Sequence, residues 1–415
     1  MSFLVFLRDN FRWLAGGFLL TFFSSYGQTF FIALSAGNIR EEYDLSHGAF
    51  GTLYMIATLA SALTLPQLGQ IVDRRSARSV TLLIVPILAM ACVLMAFSRH
   101  IALLAIAIYL LRLFGQGMMS QNAFTAVGRW FSAQRGKALS LAAIGVNAGE
   151  AVFPTLFVGM ALAFGWRNGW LVVAASLVLV ALPAIAALVA VERSPQAVEG
   201  RTELKAAARD WTRSEAVRDP FFYLLLLGVM APGFIGTTVF FHQVYLVELR
   251  GWSLEMFAST FFVSSTLTVI SALVAGQLID RFSAVSLLPI FLIPLGFACL
   301  VLAFVEAWWS AVVFMGLMGL SYGISSTLFG ALWPEIYGIR NLGAIRALTT
   351  ALMVFATAMG PGLTGFLIDL GVSYPLQIAA MGAYCFLACV LMVAVSRSLH
   401  ARALSASGAS ATSRP

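Results

Sequence analysis

The sequence predicts an all-α integral membrane protein with twelve transmembrane helices, arranged as two six-helix bundles related by a parallel repeat. Three observations predict this fold: the composition, the spacing of the apolar segments and an internal repeat. Of the 415 residues, 60% are hydrophobic and only 10% are charged, whereas a soluble domain has about 25% charged residues. So few charges cannot cover the surface of a water-soluble protein of this length. Most of the chain must therefore be surrounded by lipid.

The apolar segments have the length of membrane-crossing helices, which need about 20 apolar residues each. Charged and turn-forming clusters divide the chain into twelve such segments, which we call the first to twelfth spans. The first apolar run lacks a small-residue cleavage site and is longer than a signal-peptide core, so we expect it to remain as a helix. The approximate centres of the spans are Phe23, Leu59, Ala89, Leu110, Asn147, Leu179, Pro232, Leu267, Leu295, Leu320, Phe355 and Leu387.

Basic residues predict the orientation of the chain. Of the 25 Lys and Arg residues, four lie in loops on the side opposite the termini: Arg40, Arg99, Arg167 and Arg250. Arg112 lies within a span, and all the others lie on the side of the termini. Cytoplasmic loops are enriched in Lys and Arg, so we expect both termini to face the cytoplasm. This agrees with an even number of spans.

One long hydrophilic segment, residues 193–219, separates two groups of six spans. We interpret it as a cytoplasmic linker at the membrane surface, with a short helix that begins after Thr202 as N-cap. The Ala- and Ser-rich end of the chain is predicted to be a disordered cytoplasmic tail. The predicted domains are an N-terminal six-helix half at 1–192, the linker at 193–219, a C-terminal six-helix half at 220–398 and the tail at 399–415.

A repeated segment relates the two halves. Gly69-Gln-Ile-Val-Asp73-Arg74 recurs as Gly276-Gln-Leu-Ile-Asp280-Arg281, 207 positions later. Pro154 in the fifth span and Pro361 in the eleventh are separated by the same 207 positions. Because each half has an even number of spans, the two copies have the same orientation, and the repeat is parallel rather than inverted.

The first copy of this segment, Gly69 through Asp73-Arg74 to Arg78, resembles the signature of the major facilitator superfamily between its second and third spans. Leu111-Arg112-Leu-Phe-Gly115-Gln-Gly117 resembles the fourth-span motif of the same family. The resemblance covers the whole chain and implies a secondary transporter with alternating access. A carboxylate at a helix end can pair with charges and cap a neighbouring helix. The resemblance therefore implies a gating role for Gly69, Asp73, Arg74, Arg78, Asp280 and Arg281.

A finer resemblance concerns the substrate. Trp130-Phe131-Ser-Ala-Gln-Arg135-Gly136-Lys137 is similar to the start of the fifth span in the monocarboxylate-porter and oxalate/formate branch. That branch often has an acidic residue in the first span and an arginine in the eighth, but Thr21–Ser35 contains no acidic residue and Ala258–Ile279 contains no arginine. The Gly-Pro pair typical of drug/proton antiporters is absent too, because Phe153 precedes Pro154. We expect a small organic anion such as a carboxylate, with a multidrug or other metabolite exporter as the alternative.

Two charges, Arg112 and Glu150, lie deep within spans. A rise of 1.5 Å per residue places Arg112 roughly 17 Å and Glu150 roughly 18 Å from the nearer end of its span, close to the bilayer centre. A charge at this depth costs about 2.5–3.5 kcal/mol, so neither should face lipid. Either Glu150 takes up a proton while Arg112 tunes it or binds an anionic substrate, or the two form a static buried pair.

Polar residues in the predicted central cavity are further candidates for substrate binding or proton coupling. His242, near the end of the seventh span, has a side chain that titrates close to neutral pH. Helix–helix hydrogen bonds are the alternative for each of them. The candidates are Tyr26, Gln28, Gln116, Asn147, His242 and Tyr322, with Gln243 beside His242.

Several other functions are excluded or disfavoured. A Walker-type phosphate-binding motif is absent, and the four histidines and four cysteines form no recognisable metal or catalytic cluster. We expect no enzyme activity, no cofactor and no nucleic-acid partner. A non-transporting membrane sensor is the alternative from another class. We expect a monomeric, proton-coupled symporter in the cell membrane, specifically a bacterial inner membrane.

Overall fold

The computed structural model describes residues 3–131, 134–193 and 210–412, and within these ranges the chain is helical and has no strand. Ten helices are long and apolar enough to cross a membrane, and a bent helix pair at the N-terminal end makes eleven. A shorter apolar helix occupies the predicted ninth span. The all-α membrane fold is therefore confirmed, and the helices match the twelve predicted spans.

The first six spans are consecutive helices with short connections. Ser46 begins the second span because its Oγ accepts from Ala49 N (3.1 Å), which satisfies an amide at the helix start. Gly165, at a φ of 86° that favours glycine, ends the fifth. The spans are Val5–Gly27 with Thr29–Tyr43, then His47–Arg74, Ala77–Phe97, Ile101–Trp130, Arg135–Phe164 and Trp166–Leu188.

Among the described residues, the second six spans contain three interrupted helices. The seventh span ends at Phe241, and a separate helix, Gln243–Arg250, follows it. The eighth consists of Leu254–Ser259 and Phe261–Phe282, and the ninth consists of Ala284–Leu287 and Ile293–Phe304. The others are Trp309–Tyr337, Leu342–Asp369 and Tyr374–Arg402, with the seventh beginning at Pro220. We call the side where even-numbered spans end the near face and the opposite side the far face.

The last helix is longer than the sequence predicts. It runs from Tyr374 to Thr412 and so includes most of the segment 399–415 that we expected to be disordered. Ala, Leu and Arg after the twelfth span are good helix formers, which accounts for this difference. Of the linker, residues 194–209 with the helix predicted after Thr202 lie outside the described residues. A short helix, Arg213–Arg218, occupies its end, with Thr212 and Glu215 forming a capping box.

The chain forms two compact units whose boundaries differ from the predicted halves. The first contains residues 1–201, 239–262 and 361–370, and the second contains 202–238, 263–360 and 371–415. The far-face ends of the seventh and eleventh spans therefore belong to the same unit as the N-terminal half. Side chains at these ends pack with the first two spans, as described below, and this packing explains why the unit boundary crosses those spans.

Local structure reproduces the internal repeat within each unit. Ser76 caps the third span by accepting from Ser79 N (3.2 Å), and Ser283, 207 positions later, caps the ninth by accepting from Ser286 N (3.3 Å). A carboxylate from another part of the chain supports each cap. Glu192 accepts from Ala77 N (3.0 Å), and Glu335 accepts from Ala284 N (2.8 Å). The two segments therefore share a serine helix cap as well as their sequence.

The near-face end of the first span is fixed to the sixth span. Arg12 donates to the Leu188 carbonyl from Nε (2.7 Å) and to the Ala187 carbonyl from Nη2 (2.6 Å). Trp13 Nε1 donates to the Val191 carbonyl (2.9 Å). These donors satisfy carbonyls that a helix C-terminus leaves without partners.

Candidate functional site

The candidate site is built around a break in the first span. Regular helix ends at Ser24, and Gln28 is extended, with φ −82° and ψ 154°. The two parts of the span meet at an angle of 45°. A break inside a membrane helix releases backbone carbonyls from the helical hydrogen-bond pattern, and such groups commonly line transporter sites.

The fourth span is wound as a π-helix at the same level. Residues Leu111–Met119 form this wider turn, which includes both Arg112 and Gln116. Gly27 and Gly115 let the two backbones approach closely, because a Cβ on Gly27 would lie 2.7 Å from Gly115 Cα. π-helical turns are rare and frequent at functional sites. Here the turn directs Arg112 towards the break.

Arg112 binds neutral groups at the break. Its Nη1 donates to the Gly27 carbonyl (3.3 Å) and to Thr29 Oγ1 (3.2 Å), and its guanidinium lies 5.6 Å from the centre of the Tyr54 ring. Tyr54 donates to the same Thr29 oxygen (2.8 Å). The side chain is 5% exposed, and Nε has no hydrogen-bond partner among the described residues. Its charge is thus oriented but not neutralised.

Glu150 is buried in the fifth span without a compensating charge. It is 9% exposed, and within the described chain its Oε1 has no hydrogen-bond partner. The preceding Gly149 packs on Ser25 at the break, where an added Cβ would collide with Ser25 Oγ. Among described residues no ion pair joins Glu150 to Arg112, so the static pair considered as the alternative is not formed in this structure.

Aromatic rings surround the part of the site next to Glu150. Tyr26 is hydrogen-bonded to Ser176 of the sixth span (3.3 Å), and its ring centre lies 4.3 Å from that of Phe153 and 5.0 Å from that of Phe31. Phe153 also contacts Phe22 (4.4 Å). Tyr26 therefore points towards the fifth and sixth spans, and the aromatic cluster includes Phe153, which lies one helical turn from Glu150 on the fifth span.

The remaining predicted residues occupy different environments. Gln28 and Gln116 are half-buried at the break, whereas Asn147 donates to the Ala143 carbonyl of its own helix (3.4 Å). Tyr322 belongs to the second unit, where it donates to the Pro232 carbonyl (3.2 Å). The structure thus brings Gln28 and Gln116 near Arg112, while Asn147 bonds within its own helix and not to another helix.

His242 and Gln243 lie at the far face of the first unit. Both are buried, and His242 Nε2 contacts the Pro361 carbonyl (3.2 Å). Gln243 Nε2 donates to the Phe30 carbonyl (2.8 Å). They connect the interrupted seventh span to the eleventh and first spans, which are the helix–helix contacts named as the alternative for these residues.

The predicted gating residues lie at near-face helix ends and are exposed, apart from Gly69, which packs against Gln121. The Asp73 carbonyl accepts from Arg129 (3.4 Å), and Arg281 stacks on Phe282 (5.2 Å). With the other described residues, the carboxylates of Asp73 and Asp280 form no ion pair. Arg74 and Arg78 are likewise exposed, so the gating role of this set stays a prediction.

Sequence reasoning missed a third carboxylate at a helix end. Asp369, the last residue of the eleventh span, accepts from Ser46 Oγ (2.7 Å) and from Gly48 N (2.8 Å). A signal was present, because Gly365-Phe-Leu-Ile-Asp369 has the same glycine-to-aspartate spacing as Gly69–Asp73. It was overlooked because it lies at the opposite face and is not part of the 207-residue repeat.

Comparison with known proteins decides the family. The sequence profile of the Major Facilitator Superfamily matches residues 17–305, which is more than half of the chain. The chain belongs to the major facilitator superfamily. Membership in this superfamily, together with the helices described above, makes it a multi-pass membrane transporter. No curated protein sequence matches it.

Solved structures of this superfamily share the fold. A bacterial homologue of the human lysosomal transporter Spinster, inward-facing and unoccupied, has a TM-score of 0.70 at 18% identity, with 94% of this chain and 97% of the other covered. The inward-facing, occupied form has a TM-score of 0.61 at 18% identity, with 99% and 98% covered. At this identity the likeness concerns the fold alone.

Proposed function

We propose that this major facilitator transporter moves a small organic anion, such as a carboxylate, by alternating access and that proton uptake by Glu150 drives it. The observation that supports the substrate class is the guanidinium of Arg112, which is buried and held by two neutral oxygens. An unneutralised cation in low dielectric is stabilised by an arriving anion. The planar guanidinium can bind a carboxylate through two parallel hydrogen bonds.

Glu150 supplies the proposed proton site. An ionised carboxylate without a partner is costly in an apolar environment, and a protonated one is much less so. Glu150 is buried, and Phe153, one helical turn away on the same span, packs against Tyr26. Release of the proton would therefore need access to water from one face. Coupling follows if the anion at Arg112 and the proton at Glu150 enter together and leave together, which is symport.

The first experiment tests the substrate class. Purified protein is heated with a panel of carboxylates, phosphates and amines, and a ligand of the folded state raises its melting temperature. Stabilisation by carboxylates and loss of this effect in Arg112→Gln would support the anion site. Stabilisation by hydrophobic amines alone would favour the multidrug alternative and contradict the proposal.

Glu150→Gln then tests proton coupling. In proteoliposomes we expect the variant to lose accumulation driven by a pH gradient while it still exchanges labelled for unlabelled solute across the membrane, because exchange needs no net proton movement. The matched control is Glu41→Gln, the same change at an exposed far-face residue. Full pH-driven accumulation by Glu150→Gln would rule out this residue as the proton carrier.

The proposal also includes the orientation of the chain in the membrane and its monomeric state. The distribution of basic residues supports a cytoplasmic near face, so a proton gradient directed inwards across a bacterial inner membrane would drive uptake. The site lies entirely in one chain, and a monomer is sufficient for this mechanism.

A further inference from the structure

The third glycine–aspartate segment, Gly365–Asp369, lies at the far face, whereas Gly69–Asp73 and Gly276–Asp280 lie at the near face. It ends the eleventh span, and Gly371 follows it with a φ of 84°. Nothing in the proposed function uses this segment. Its contacts all lie within the first compact unit.

Asp369 caps the start of the second span. One carboxylate oxygen, Oδ2, accepts from Ser46 Oγ (2.7 Å) and from the backbone N–H of Gly48 (2.8 Å). Ser46 is itself the N-cap of that span through Ala49 N. The first amides of a helix have no partner in the helix, and a side chain from a different span supplies one here.

Glycines make this contact possible. A Cβ on Gly48 would lie 2.6 Å from Asp369 Oδ2, and one on Gly365 would collide with the His47 carbonyl. One turn further along, a Cβ on Gly51 would collide with the Pro361 carbonyl. Small residues at these positions let the two backbones approach, as in membrane helix pairs generally.

The electrostatic stabilisation of the Asp369 carboxylate depends on contact between the eleventh and second spans. Asp369 is at the C-terminus of its own helix, where a negative charge is unfavourable, and at the N-terminus of the second span, where it is favourable. Its carboxylate is therefore stabilised only while the eleventh span lies against the second. Asp73 and Asp280 have no such contact with a described residue, so the far-face copy alone is engaged in this structure.

Buried side chains pack beneath the cap. The rings of Phe50 and Phe241 stack at 5.1 Å, and both are almost fully buried. His242 contacts Pro361, and Gln243 donates to Phe30. Separation of the eleventh span from the second would break the cap and expose this layer.

We propose that Gly365–Asp369, with Ser46 and Gly48, is a latch that keeps the candidate site closed to the far face. Asp369 is a positioning residue in this proposal: it sets the stability of the closed conformation and contacts no solute. The proposal rests on alternating access from the proposed function, but it does not depend on the substrate or on the coupling ion.

The test measures exposure of a buried reporter. Ala36 is 5% exposed and lines a small cavity under the latch with Arg40 and His242. Ala36→Cys is introduced, and labelling by a membrane-impermeant maleimide is followed from the far face. The four native cysteines are buried and give a low background. Because the latch has two charge-assisted bonds at an exposed position, Asp369→Asn should raise the labelling rate roughly three- to tenfold.

Three variants control the measurement. Asp44→Asn makes the same change at an exposed residue in the loop that contains Ser46 and should leave labelling unchanged. Asp44 has a φ of 51°, which asparagine tolerates. Asp369→Glu should restore part of the protection. Ser46→Ala removes one bond to Asp369 and should raise labelling less than Asp369→Asn, whereas the near-face N-cap variant Ser76→Ala should not raise it.

The outcomes separate this proposal from the transport proposal. Unchanged labelling in Asp369→Asn, with a melting temperature like that of the parent, would overturn the latch whatever the transport assays show. If Asp369→Asn does not fold, unchanged labelling in Ser46→Ala decides against the latch. A raised rate in a protein whose Glu150→Gln form keeps pH-driven uptake would support the latch and refute only the coupling.

Discussion

At the scale of single residues, the surroundings of Arg112 indicate its chemical role most clearly. Its partners, the Gly27 carbonyl and Thr29 Oγ1, carry no net charge. They orient the guanidinium but leave its charge available. A lysine would keep the charge but could not reproduce the planar two-donor geometry. The two properties, charge and geometry, can therefore be separated by substitution.

We expect Arg112→Gln to raise the apparent KM for the anionic solute by at least about tenfold, because one charge-assisted bidentate contact contributes about 1.5–3 kcal/mol. Arg112→Lys should lie between this variant and the parent. Initial uptake rates over a range of solute concentrations give both values. Arg99→Gln, at an exposed far-face arginine, is the control. Equal KM values for all four proteins would exclude Arg112 from the anion site.

Sequence alone predicted how deep Arg112 and Glu150 lie but not the direction in which each side chain points. Burial of both was expected from the cost of a charge in lipid, and both are buried. Whether they pair depends on the rotation of each helix about its axis. Hydropathy cannot fix that rotation here, because the spans are apolar on all sides. Tyr26 shows the same limit: its side chain points towards the fifth and sixth spans, a direction that its position in the first span does not give.

At the scale of helices, the break in the first span and the π-helix in the fourth form one structural feature. The extended Gln28 and the wide turn at Leu111–Met119 lie opposite each other, with Gly27 and Gly115 in contact. Neither irregularity has a proline to cause it. The contact between the two spans and the bonds from Arg112 compensate the backbone groups that each irregularity releases.

Gly27→Ala should disrupt this feature. Its Cβ would collide with the Leu111 carbonyl and lie 2.7 Å from Gln116 N, and backbone atoms cannot move aside as a flexible side chain can. Overpacking of this kind costs about 1–3 kcal/mol, so the melting temperature in detergent should fall. Gly159→Ala is the matched control, since no atom lies within 4 Å of its added Cβ. A melting temperature for Gly27→Ala like that of this control would contradict the expectation.

Helix positions were predictable because hydrophobic length is a property of each segment by itself. The irregularities were not, because they depend on contacts between segments that are far apart in sequence. The ninth span shows the same limit: its apolar run was recognised, but the interruption between Leu287 and Ile293 has no marker except Pro289 and Pro294. The Gly365–Asp369 spacing marks that segment in the sequence, but the cap by Asp369 also depends on the eleventh span lying beside the second.

At the scale of the whole molecule, the repeat and the basic residues together predict the topology. An even number of spans places both ends of the chain on one side, and the excess of Lys and Arg on that side predicts that it is the cytoplasm. Matching Ser caps at Ser76 and Ser283 support equal orientation of the two copies.

Reporter fusions test this topology. A reporter that is active only in the cytoplasm should be active when fused after Pro415 and inactive when inserted at Gly251, in the loop after the seventh span. A reporter that needs the periplasm should give the reverse pattern. Activity of the cytoplasmic reporter at both sites would mean that the number of spans between them is even, against the fold described here.

The interruption of the first span has a consequence for occlusion. Its near-face part is fixed to the sixth span through Arg12 and Trp13, and its far-face part is held by Gln243 at Phe30. Because Gln28 separates the two parts, each can tilt with its own neighbours while the other stays in place. A state in which solute is enclosed from both sides therefore requires no bending of a continuous helix, and the joint beside Arg112 is where the two movements meet.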